Sequence, residues 1–61
     1  MDEFTAKFNR IYANLPSSER EDVAVVVDGK PYSWNAAYIE VGAGSELATK
    51  ILEKLRELDL I

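Results

Sequence analysis

Cysteine and histidine are both absent from the 61 residues. The first absence excludes disulfides and thiolate metal sites. The second removes the commonest general base and the commonest transition-metal ligand. Basic residues are scarce too: seven stand against eleven acidic ones, for a formal net charge of −4. Nucleic-acid binding depends on neutralising phosphates, so this balance disfavours it, and it equally disfavours an anionic membrane surface. No apolar run approaches the roughly 18 residues of a membrane span. Met1-Asp2-Glu3-Phe4 is acidic where a secretory leader would be basic. A cytoplasmic location with no membrane partner is the expectation.

What is present makes one small domain, residues 1–61. A chain of this length buries only about 60% of the surface its unfolded form exposes. Small folds usually add disulfides, a structural metal or a second subunit. With cysteine and histidine gone, either unusually efficient packing or self-association must serve.

The first segment reads as an amphipathic helix, because Phe4, Phe8, Ile11, Tyr12 and Leu15 fall on one helical face. Asp2 and Glu3 sit in its first turn, and Glu3 can pair with Lys7. Asn14 and Pro16 mark its end. Residues 16–22 form a polar connector in which Ser17 or Ser18 can cap a single helical turn. Val23-Ala24-Val25-Val26-Val27 is a strand by composition, and Asp28-Gly29 is the strongest short hairpin signal. Lys30-Pro31-Tyr32-Ser33 supplies a return strand that Pro31 would confine to an edge. The same four residues from Asp28 also fit an open turn. Strict alternation puts Val23, Val25 and Val27 on one face and Ala24 and Val26 on the other, so both faces are apolar. Covering both needs either the chain's own helices or a second copy, and the two readings are equally good.

Residues 33–41 can be read two ways. As a helix, Ser33 caps it and Trp34, Ala37, Tyr38 and Val41 form its stripe. As a strand, Ile39 and Val41 alternate around Glu40. The helix accounts for more residues, with Gly42-Ala43-Gly44 ending it. The last helix starts at Ser45, and Leu47, Ile51, Leu52, Leu55 and Leu58 make its stripe. Trp34 and Tyr38 are expected in the core between hairpin and last helix.

Catalytic chemistry finds little to work with. Ser17, Ser18, Ser33 and Ser45 occupy cap and turn positions with no histidine to activate them. Glu19, Glu21 and Asp22 lie in a solvated connector where nothing would shift their pKa values. Asp28 alone is not a cation site. No catalytic, cofactor or metal residues are expected, and the chain is not expected to be an enzyme.

Two stretches carry family resemblances. Ile39-Glu40-Val41-Gly42-Ala43-Gly44-Ser45 resembles the first glycine-rich loop of S-adenosylmethionine-dependent methyltransferases, but 61 residues cannot supply their doubly wound sheet. Residues 33–61 resemble the helix-turn-helix core of winged-helix regulators: Trp34–Val41 as the second helix, Gly42-Ala43-Gly44 as the turn, Ser45–Leu58 as the recognition helix. The ending Lys50-Ile51-Leu52-Glu53-Lys54-Leu55-Arg56-Glu57-Leu58-Asp59-Leu60-Ile61 resembles that family's cadence, in which leucines precede a tight turn and an aliphatic pair that starts the wing. The resemblance implies a helix entering the major groove by its N-terminal half, with Glu46, Thr49 and Lys50 facing DNA and Lys54 near phosphate. Tyr38 stands where that family has a small residue, and the chain stops where the wing would begin. As a whole the chain is similar to the small uncharacterised proteins common in archaeal genomes.

The resulting expectation is an α+β fold: helix, β-hairpin forming a short two-stranded sheet, then two helices (α-β-β-α-α). Its function is expected to be protein interaction or dimerisation, with Val23, Ala24, Val25, Val26 and Val27 as the homodimer interface. A helix-turn-helix DNA-binding regulator without its wing is the alternative.

Overall fold

A computed structural model describes residues 3–61. Helix α1 spans Glu3–Asn14 and is followed by a single turn, α2, Ser17–Arg20. Strands β1, Val23–Val27, and β2, Lys30–Ser33, form an antiparallel hairpin; α3, Trp34–Ala43, and α4, Glu46–Glu57, complete the fold. This is the α+β arrangement expected, with the one-turn α2 added in the connector.

Each boundary has a local cause. In α1, Glu3 pairs with Lys7 at 3.4 Å; Asp2, assigned to the same turn, lies outside the described residues. No basic residue stands in the last turn of α1. Arg20 reaches back from α2 instead, donating from Nε to the Tyr12 carbonyl at 3.2 Å and from its terminal nitrogen to the Ala13 carbonyl at 3.4 Å. The Tyr12 carbonyl also accepts from the Leu15 N–H at 3.1 Å, and a cation at these last carbonyls meets the negative end of the helix dipole. Neither Ser17 nor Ser18 caps α2. Pro16 holds the cap position without a side-chain bond, and its carbonyl accepts from the N–H groups of Glu19 and Arg20.

Asp28 (φ 52°) and Gly29 (φ 79°) both take left-handed angles, as the two-residue turn of a right-twisted hairpin requires. The open-turn alternative is thereby excluded. Ser33 Oγ accepts from the Ala36 N–H to start α3, which settles residues 34–41 as helix. That helix runs two residues further than expected. Gly42 lies inside it, so Ile39–Val41 is not the strand that a glycine-rich nucleotide loop would follow. Gly44 (φ 65°) ends it, with the Gly44 N–H donating to Val41 and the Ser45 N–H to Glu40. Ser45 then begins α4 by accepting from the Ala48 N–H, while its hydroxyl donates to Glu40 Oε1 at 2.8 Å. At the far end Asp59 (φ 57°) takes the same left-handed role, and Leu60 N–H bonds Leu55 O at 2.9 Å.

The core is built around Phe8, Ile51 and Leu55, all fully buried, with Val25 and Val27 closing it from the hairpin. Trp34 packs against this cluster and stacks on Phe8 with ring centroids 5.9 Å apart. Two expectations fail here. Tyr38 is not between hairpin and α4; it is exposed and stacks flat on Tyr12 of α1, centroids 4.0 Å apart. Leu58 is not in the α4 stripe either. It is the residue at which the helix ends, and its side chain is exposed, while Ile61 folds back onto the core.

Candidate functional site

Large apolar side chains are exposed at three places: Val23 and Val26 on the hairpin, Tyr38 and Ile39 on α3, and Leu58 and Leu60 after α4. The hairpin pair is the one that lies beside open strand backbone. The register pairs Val27 with Lys30, Val26 with Pro31 and Val25 with Tyr32, but next pairs Val23 with Ser33. Ala24 is therefore an extra residue, a β-bulge, and a bulge reverses the alternation beyond it. Val25 and Val27 point into the core, whereas Val23 is 60% and Val26 50% exposed. Val23 thus departs from the face predicted for it by strict alternation. Of the five strand residues expected at an interface, Val25 and Val27 are buried within the subunit and Ala24 is half-buried. Val23, Val26 and the strand's own backbone remain accessible.

Proline fixes which backbone groups these are. Hydrogen-bonded and non-bonded pairs alternate along an antiparallel ladder. Pro31 has no N–H, so Val26–Pro31 is a non-bonded pair and the bonded pairs are Val25–Tyr32 and Val27–Lys30. Val26 therefore aims its N–H and C=O away from β2, along the free edge of β1. Among the described residues neither group has a hydrogen-bond partner.

The four residues that the helix-turn-helix resemblance assigns to DNA, Glu46, Thr49, Lys50 and Lys54, are all exposed on α4. Helical geometry puts them on one side. Glu53 and Glu57 fall along the midline of that same side, next to Glu46. Lys50 Nζ is held by Asp28 of the hairpin turn at 3.2 Å, and Lys54 lies 3.8 Å from Glu57. Three carboxylates thus share the face with two lysines, and both lysines already have acidic neighbours.

Elsewhere the described residues bring no three His, Cys, Asp or Glu side chains together at metal-binding range. No buried side-chain polar atom among them lacks a partner, and no helix among them is long and apolar enough to cross a membrane. Ser33 and Ser45 are engaged as caps. A shallow hollow between Phe4 and the Thr49, Leu52 and Arg56 side chains of α4 is roofed by Arg56, whose guanidinium lies 5.0 Å from the Phe4 ring. No sequence signal pointed to the bulge: alternation of β-branched residues looks the same with or without it. The Val-rich run and Pro31 together were the available clue to an accessible edge.

Compared with protein-family models, curated proteins and solved structures, the chain matches none.

Proposed function

We propose that this chain is a non-catalytic interaction module whose partner is a second copy of itself. The observation that carries the reading is the bare outward side of β1, where Val23 and Val26 stand exposed beside unpaired backbone. The hairpin packs its inner face, Val25 and Val27, on α3 and α4, which already gives a two-stranded hairpin support, while its outward valines stay in water. A domain this small also has little core to spare. Association that covers the outward valines supplies the missing burial, at roughly 25 cal/mol per Å² of apolar surface removed from water. Sedimentation equilibrium over a wide concentration range tests the reading. The wild type is expected to dimerise, and Val26→Lys to stay monomeric with an unchanged far-ultraviolet spectrum. A wild type that remains monomeric at millimolar concentration would remove it.

A second reading, a helix-turn-helix DNA-binding regulator, draws on the exposure of Glu46, Thr49, Lys50 and Lys54 along one side of α4. The carboxylates on the midline of that side weigh against it, since each repels phosphate. Fluorescence anisotropy with labelled duplex DNA separates the two. Binding that weakens steeply with salt is expected only under this second reading.

A further inference from the structure

Resting on the self-association reading above, we propose that the two copies join edge to edge. β1 pairs antiparallel with β1 of the second copy to make one four-stranded sheet, ordered β2-β1-β1-β2. Three observations converge on this arrangement.

The first is backbone chemistry. Val26 presents one donor and one acceptor on the open edge of β1, both without partners among the described residues. An antiparallel edge is self-complementary about a two-fold axis, so each copy satisfies the other with the same groups. The second is the contrast between the two edges of the hairpin. On the outer side of β2, Pro31 offers a carbonyl and no N–H, the device by which natural sheets close an edge. One edge is competent and the other blocked, so assembly stops at two copies instead of running on as a filament.

The third observation is charge along the strand, which decides orientation and occupant. Residues 19–22, leading into β1, carry Glu19, Glu21 and Asp22 against Arg20, a net charge of −2. Arg20 is itself turned back onto the carbonyls of α1. At the other end, the hairpin tip gathers Lys30 and Lys50 around Asp28, a net charge of +1. Antiparallel pairing sets the acidic end of each copy against the basic tip of the other, whereas parallel pairing would set like against like. A second copy of this chain carries the matching pattern by construction. Glu53, Lys54 and Glu57 flank the middle of the strand from α4; their net −1 meets its own copy in either orientation, so it opposes association without favouring the parallel arrangement.

Amide hydrogen exchange followed by NMR at rising protein concentration tests the inference directly. The Val26 amide is expected to exchange freely when the protein is dilute. Its protection should rise at least about tenfold as dimer forms, while the Val25 and Val27 amides, bonded to β2, stay protected throughout. Val26→Pro removes the outward N–H along with the valine side chain and should leave the protein monomeric. Val26→Thr keeps that N–H and should still dimerise, and dimerisation should weaken as salt is raised. A dimer whose Val26 amide exchanges as freely as in the monomer overturns edge pairing while leaving self-association intact. A strict monomer overturns both. Protection that appears only when a different protein is added overturns the choice of occupant. The exchange measurement on the wild type stands whether or not the proline variant folds.

Discussion

Single residues in this protein often serve two elements at once. Ser45 closes α3 through its N–H to Glu40 and opens α4 by accepting from Ala48, while its hydroxyl also ties to the Glu40 carboxylate. Replacing an N-cap serine with alanine typically costs about 1 kcal/mol, with a range of roughly 0.5–2. Ser45→Ala is expected at the upper end because the lost hydroxyl both caps α4 and bonds the Glu40 carboxylate of α3. Urea denaturation reads the loss as a lower midpoint at unchanged slope. Arg20 is a second case. Its guanidinium bonds two carbonyls at the end of α1 and covers the Tyr12 ring, 4.4 Å from the centroid. Lysine keeps the charge but not the planar fork. Arg20→Lys is therefore expected to lose about 0.5–1 kcal/mol, measured by the same denaturation. A result within error of wild type would show that the contact is merely a surface one.

At the scale of elements, the two C-terminal helices differ in how far they are committed to the core. α4 buries Ala48, Ile51 and Leu55 on one side and exposes charge on the other. Ile51→Ala leaves a cavity in the most buried part of the molecule and should cost about 2–5 kcal/mol, enough to unfold a domain this small. α3 is apolar on nearly every side, yet only Ala37 and Val41 are buried. Its Ile39 is 66% exposed, so Ile39→Ala should change thermal stability by less than about 0.5 kcal/mol. Calorimetry of the pair checks both. A large loss at Ile39 would mean that a partner covers α3, which would move the interface away from the hairpin.

Across the whole molecule, the hairpin sits on α3 and α4 with its other side open. The proposed self-association of the folded form would stabilise it by mass action and make the melting temperature concentration-dependent. The midpoint is expected to rise by several degrees between micromolar and millimolar protein, a ΔΔG of about 1 kcal/mol corresponding to roughly 4–8 °C in a domain of this size. The Val26→Lys variant should show no such rise. Scanning calorimetry at three concentrations is sufficient. A flat midpoint for the wild type would argue that the folded subunit is stable alone.

Much of this architecture is local and was therefore readable residue by residue. Helix periodicity, the Ser33 and Ser45 caps, the Asp28-Gly29 turn and the glycine stop all depend on interactions within a few positions, which is why the element order follows from the sequence. The absence of cysteine and histidine likewise narrows the available chemistry at the level of the sequence. Tertiary structure alone decided three things. The bulge at Ala24 turned Val23 outward, because register is settled by how β1 meets β2 and α4 rather than by its own alternation. Tyr38 moved onto Tyr12, since only the folded chain brings α1 beside α3. The edge role of Val26 likewise emerged only once the register had placed Pro31 opposite it.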